Sequence, residues 1–179
     1  MQIIGGKYKG RKLIFLDGKQ IRPTSSKVRG AVFNMMAPYI DGALFLDGFA
    51  GSGAMGIEAL SRGAQSSFFV DSEARSIEIL GKNLKKLSVK TQGFVFRENF
   101  FNFIKKTELK FDIIFTDPPY AMQGFDKLAL LVADADVLQR GGFLIIEHDC
   151  LVVPQSDSRL ELIKQKKYAD TVISVFERT

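Results

Sequence analysis

Short apolar runs and longer amphipathic stretches alternate along most of this chain. The runs, at residues 43–46, 67–70, 94–96, 111–115 and 143–146, have the length and polar flanks of buried strands. Stretches of helical character separate them at 54–62, 73–87, 100–106 and 125–138. This order predicts an α/β fold: a mostly parallel sheet with helices on both faces. Two further strand candidates, near 160–163 and 171–176, follow with no obvious helix between them. They are expected to form a hairpin closing one edge, for a seven-stranded sheet.

Ahead of this pattern, Ile3, Ile4, Tyr8, Leu13, Ile14 and Phe15, with Gly5-Gly6 and Gly10 as bend signals, predict a small folded hairpin. Thr24, Ser25 or Ser26 is placed to cap a helix running to about residue 36. Val28, Ala31, Val32 and Met35 share one face of it, and Pro38 and Gly42 punctuate its end. The expected division is a basic β-hairpin/helix extension over 1–40 and a single catalytic domain over 41–179, as a length of 179 residues allows.

Charge sharpens this division. The whole chain is net +5, yet residues 1–29 hold eight cations against one carboxylate, Asp17. That end is therefore +7 and the remainder −2. A basic arm of this kind suits a phosphate backbone, and the candidate contacts are Lys7, Lys9, Arg11, Lys12, Arg22, Lys27 and Arg29. A merely solubilising tail is the alternative, opposed by the interspersed apolar positions. Cys150 is the only cysteine, so no disulfide closes within the chain. No apolar run reaches membrane-spanning length, and the N-terminus lacks the apolar core of a signal peptide. The expected compartment is a reducing cytoplasm, without a membrane partner. His148 and Cys150 make no plausible ligand set, so no metal is expected.

Asp117-Pro118-Pro119-Tyr120, directly after the run at 111–115, carries the clearest chemistry. Consecutive prolines supply no backbone N–H and hold the chain extended, so carbonyls stay free to accept. A carboxylate and a ring side by side in such a loop suit the exocyclic amine of a nucleobase: the acceptors take its N–H groups while the ring stacks. The run at 43–46 leads into Asp47-Gly48-Phe49-Ala50-Gly51-Ser52-Gly53 and then a helix. Glycines here let a ligand approach the backbone where open parallel sheets bind ligands. Residues 51–56 also match a dinucleotide-binding glycine pattern, but Asp47 precedes Gly51 by four positions. A carboxylate there repels a pyrophosphate and suits the ammonium group of S-adenosyl-L-methionine. Gly48, Ala50, Gly51 and Gly53 complete that turn. Asp71 ends the next strand and is the candidate ribose ligand, with a helix N-cap as its bland alternative. Asn99 and the backbone N–H of Phe100 follow the third strand as candidate adenine contacts.

Together these pieces resemble the class I S-adenosyl-L-methionine-dependent methyltransferases, a Rossmann-like fold, in the amino-methylating branch with an Asp-Pro-Pro-Tyr loop. The likeness narrows further. Ile3-Ile4-Gly5-Gly6, Gly10-Arg11, Arg22-Pro23-Thr24, Val28-Arg29, Phe33-Asn34 and the stretch from Asp47 to Ala64 are similar to the signatures of the RsmD family. The resemblance runs from Ile3 to about Glu147. Ser26, Lys27 and Gly30 depart from the acids and arginine expected around the Arg-Pro-Thr segment. The resemblance implies methylation of a guanine N2 amine, at guanine 966 of 16S rRNA. It implies a monomer acting on the small subunit or an assembly intermediate. Two other readings stand beside it: an N6-adenine methyltransferase, and a non-catalytic ribosome-assembly RNA-binding protein.

Overall fold

The computed structural model describes residues 1–15, 25–119, 125–169 and 171–179. Arg22 and Tyr120 lie outside them. The described strands are β1 Leu44–Gly48, β2 Ser66–Asp71, β3 Gly93–Arg97, β4 Phe111–Thr116, β5 Leu138–Asp149, β6 Leu160–Tyr168 and β7 Thr171–Arg178. They form one seven-stranded sheet in the order β3-β2-β1-β4-β5-β7-β6. The first five run parallel, and β7 lies antiparallel between β5 and β6. The expected hairpin does close the edge, but through its second strand.

Alternation explains the two buried faces. Leu46, Ile114, Leu144, Ile146 and Phe176 point to one side, where α4 (Phe100–Lys106) and α5 (Leu128–Ala135) cover them. Phe45, Ile113, Phe115, Ile145 and Val175 point to the other, under α1 (Ser26–Met35) and α2 (Ala54–Ser61). Phe69 extends that second side into a cluster with Leu80, Leu84 and Leu87 of α3 (Ala74–Leu87). Ser25 caps α1, accepting from Val28 N at 3.2 Å. The expected helix at 125–138 is shorter. A 3-10 turn, Phe125–Lys127, precedes α5, and Asp136 stops α5 in the left-handed region at φ 52°. The chain is thereby released at Leu138 into β5, which pairs with Phe111.

The N-terminal hairpin is less regular than its apolar pattern suggested. One antiparallel bridge, Gln2 to Lys12, is surrounded by turn hydrogen bonds such as Gly10 N to Ile3 O at 2.8 Å. What holds it is α2. Lys7 N donates to Ser61 O at 2.6 Å, Tyr8 N to Ser61 Oγ at 2.9 Å, and Ser61 Oγ to Gly5 O at 2.6 Å. Ile3 and Leu13 enter the cluster formed with Ile57, Leu60 and Leu80. Residues on both sides of position 40 thus share cores.

Beneath this contact lies a buried charge cluster. Glu58, wholly buried, accepts from Ile4 N at 2.9 Å and Arg62 Nε at 2.8 Å, and stands 3.7 Å from Arg29 Nε. Arg29 also donates to Met1 Sδ and to the Gln2 carbonyl. The buried face of α1 is Val28, Arg29, Val32 and Phe33, with Ala31 and Met35 only half-buried. Arg29 is therefore removed from the candidate phosphate contacts: it is 1% exposed and neutralises an internal carboxylate. An (i, i+4) count over apolar residues misses an arginine whose partner lies 29 positions away.

Gly6 sits at φ 72°, and a Cβ there would fall on the Ser61 carbonyl. Gly6→Ala should cost about 2–4 kcal/mol, combining left-handed strain with overpacking. Gly10→Ala, at φ 82° but with open space around it, should cost only about 1 kcal/mol. Chemical denaturation of the two variants checks the contrast; equal losses would mean that contact with α2 is not what demands glycine.

Candidate active site

β1 and β4 are neighbours, and the chain leaves them toward opposite faces. That divergence opens a crevice at their carboxyl ends. Gly48 pairs with Thr116, which sets the glycine turn and the Asp117 loop side by side. Asp117 is half-buried, Pro118 buried and Pro119 exposed.

The turn from β1 is built around two carboxylates. Asp47 is 2% exposed, and its Oδ2 accepts from Gly56 N in the first turn of α2 at 2.8 Å. Burial pushes its pKa up to about 8, against the lowering effect of that hydrogen bond, and Asp71 adds a like charge. Asp71 Oδ2 accepts from Gly51 N at 2.7 Å and its Oδ1 from Glu73 N at 2.8 Å. It thus pins the turn to β2, and a carboxylate with two further acceptor positions can still take ribose hydroxyls. Ala50 N donates to Val70 O at 3.0 Å, completing the tie.

Open space surrounds Gly51, which stands at φ 55°; a Cβ there would meet nothing within 4 Å. Its neighbours differ. A Cβ at Gly48 would strike the Phe100 ring, and one at Gly53 would strike Leu80. Gly51 faces the crevice while Gly48 and Gly53 permit packing behind it. A buried carboxyl group that a cation would ionise, a free backbone rim and a partly engaged strand-end carboxylate fit an aminoacyl nucleoside better than a dinucleotide.

Asn99 caps α4. Its side-chain oxygen accepts from Phe101 N at 3.0 Å and Asn102 N at 3.3 Å. With the acceptor so engaged, the remaining amide N–H groups suit a ring nitrogen rather than an adenine amine. Phe100 is 2% exposed, so only its backbone could serve. The residue reading missed Phe49. It adopts φ 66°, uncommon for a bulky side chain, and its ring lies 5.2 Å from Phe100 and 6.3 Å from Phe101. Only its place inside the glycine turn signalled it.

His148 is buried: Nε2 lies 2.7 Å from Ser174 Oγ and Nδ1 2.8 Å from the Asp149 carbonyl. The Asp149 carbonyl can only accept, so Nδ1 carries the proton and Nε2 of the neutral ring accepts from the Ser174 hydroxyl, which in turn accepts from Gln165 at 3.0 Å. Burial lowers the imidazole pKa, consistent with this neutral, structural arrangement. Lys7, Lys9, Arg11, Lys12 and Lys27 are exposed. Lys7 and Arg11 flank the Tyr8 ring, each 5.5 Å from its centroid. Among the described residues no helix is long and apolar enough to cross a membrane, and no group of three His, Cys, Asp or Glu is arranged for a metal.

A family model described as "Conserved hypothetical protein 95" matches residues 1–177. The chain is 38% identical to "Putative rRNA methyltransferase YlbH" of Bacillus subtilis, covering 99% of both. It is 33% identical to "Ribosomal RNA small subunit methyltransferase D" of Haemophilus influenzae, over 93% of this chain and 88% of that one. The structure of "Putative methyltransferase yhhF from Escherichia coli" superposes with a TM-score of 0.90 at 32% identity, covering 99% and 97%. The sheet order and these likenesses make the fold a Rossmann-like class I methyltransferase. With nearly the whole sequence matched, the chain belongs to the RsmD family of methyltransferases.

Proposed function

We propose that this chain is an rRNA methyltransferase that modifies the exocyclic N2 amine of a guanine, guanine 966 by family resemblance, in 16S rRNA of the small subunit. The observation carrying this reading is the side-by-side placement of the glycine turn and the Asp117-Pro118-Pro119 loop at the ends of β1 and β4. S-adenosyl-L-methionine, when bound, supplies the methyl group.

Asp47 would meet the cofactor's ammonium group, directly or through water, and Asp71 its ribose. Gly51 lets the backbone come close; Asn99 and the Phe100 N–H lie at the adenine end. The guanine amine is a weak nucleophile because its lone pair is delocalised into the ring. Donation of its two N–H bonds to the Asp117 carboxylate and the Pro118 carbonyl favours a pyramidal nitrogen with its lone pair directed at the methyl carbon. Asp117 orients the amine and stabilises the positive charge that develops on it; after the methyl has transferred, one N–H proton passes through the Asp117 carboxylate to solvent and leaves the neutral N-methyl amine. Tyr120 would stack on the extruded base. In-line positioning supplies the rest. Residues 1–40 act as the RNA-facing extension, with Lys7, Lys9, Arg11, Lys12, Arg22 and Lys27 on phosphates, which positions the substrate without reading its sequence. The enzyme acts as a monomer in the cytoplasm, on the subunit or an assembly intermediate.

Asp117→Ala should lower turnover about 100- to 1,000-fold while leaving cofactor affinity unchanged. Nucleoside mass spectrometry of unmethylated small subunits after incubation checks both the loss and the product. N6-methyladenosine, or no product with intact cofactor binding, would sink the guanine assignment, and a fully active variant would contradict Asp117 as the amine anchor.

Replacing Lys9 and Arg11 together by Ala should weaken RNA binding and flatten the slope of log affinity against log salt by about 1.5, as two lost phosphate contacts require. A salt-independent loss in a filter-binding titration would mean misfolding instead.

Asp47 keeps its proton in the fold at pH values where an unfolded Asp has lost it, because its pKa rises from 3.8 to about 8. The unfolded chain binds fewer protons in that window, so this residue's contribution to stability falls as pH rises from about 4 to about 8. Asp47→Asn should therefore raise the Tm of the cofactor-free protein more at pH 8.5 than at pH 5, by about 2–4 °C for each kcal/mol regained. It should also weaken cofactor binding. A pH-independent Tm difference in calorimetry would refute the protonated state.

A further inference from the structure

We propose that the turn following β5 is a base-stacking platform, on which Leu151 and Val153 receive unpaired nucleobases flanking the target while Lys167 holds a neighbouring phosphate. This rests on the reading of the site as an RNA methyltransferase.

Among the described residues, Leu151 and Val153 are the most exposed large apolar side chains, at 88% and 78%; the next, Tyr39, is at 50%. Isolated surface aliphatics are ordinary, but these two share one anchored turn. Leu151 N donates to Asp149 Oδ1 at 2.8 Å and Val152 N to the Asp149 carbonyl at 3.1 Å. Val152, between them, packs against the core. The backbone thus presents Leu151 and Val153 outward on a fixed base.

The turn also stands beside the amine loop. Thr116 pairs with Ile146, so β4 and β5 end at the same side of the sheet. Gln155 then ties the end of the turn to the segment leaving that loop: its N–H donates to the Asp126 carbonyl at 2.6 Å and its Nε2 to Asp126 Oδ2 at 2.7 Å. Across the sheet, Asp149 pairs with Thr171 and Thr171 with Tyr168. That row brings the exposed Lys167 to the same end, on the face that Val152 packs against, while Lys166 leaves the opposite face with its Nζ 5.5 Å from the Tyr168 ring. Neither lysine is in an ion pair among the described residues. Lysines on an edge strand also discourage edge-to-edge pairing, but that role asks nothing of the neighbouring aliphatics.

Aliphatic tips next to a cationic rim match single-stranded RNA. Extruding the target unstacks its neighbours, and apolar side chains placed against them replace the lost contact.

The chain contains no tryptophan, so Leu151→Trp installs a single reporter where the base would stack. A single-stranded oligoribonucleotide should quench most of the indole emission, and inorganic polyphosphate should leave it unchanged. The double variant Leu151→Ala, Val153→Ala should raise KM for unmethylated small subunits about tenfold, with Tm and cofactor affinity unchanged. Equal quenching by polyphosphate, a response only to phosphatidylglycerol vesicles, or an unaltered KM would each overturn the platform. Wild-type turnover separates the two readings. An enzyme that methylates no RNA refutes the function proposed above, whereas quenching by RNA reports the platform directly.

Discussion

Everything at the basic end of this molecule depends on one buried carboxylate. Glu58 sits without solvent exposure on α2, between Arg29 of α1, Arg62 one turn along its own helix, and the backbone N–H of Ile4. Three segments distant in sequence meet on a single side chain. Taking such charges out of water is costly, so the arrangement is a poor source of net stability but a strong specifier of geometry. Removing one partner strands the others, and alternative packings of the arm lose the same compensation. Burial pulls the Arg29 pKa down while Glu58 raises it, which is the signature of a charge retained only for its partner.

The catalytic crevice follows a different economy. Its strand-end acids are held by backbone N–H groups: Asp47 accepts from Gly56, and Asp71 from both Gly51 and Glu73. The turn is preorganised by the groups proposed to receive the cofactor. Asp47 sits deep enough to retain a proton near neutrality, which lets the fold bury it as a neutral acid.

Much of this was legible from residue order alone. Parallel strands buried on both faces read as continuous apolar runs, so residue order alone puts Asp47, Asp71 and Asp117 at the carboxyl ends of neighbouring strands. The misses share a physical cause. Arg29 was assigned to phosphate because charge usually means solvent, and only tertiary contact shows its carboxylate partner. The helix expected to reach residue 138 ends at Ala135 because Asp136 adopts a left-handed cap that Lys110 and Arg178 stabilise from elsewhere in the fold. The engagement of the Asn99 oxygen with its own helix terminus is likewise invisible in the sequence, and it leaves only the amide N–H groups for a ligand.

One inconspicuous residue joins the two halves. Asn83, buried on α3, takes Ile14 N with its oxygen at 2.8 Å and gives its amide to Ile14 O and Ser52 O, each at 2.9 Å. Ile14 belongs to the basic arm and Ser52 to the glycine turn. Their separation is therefore set by the reach of one short amide. The arm and the turn cannot shift relative to one another without breaking these three bonds, so a change at either end is transmitted to the other through α3.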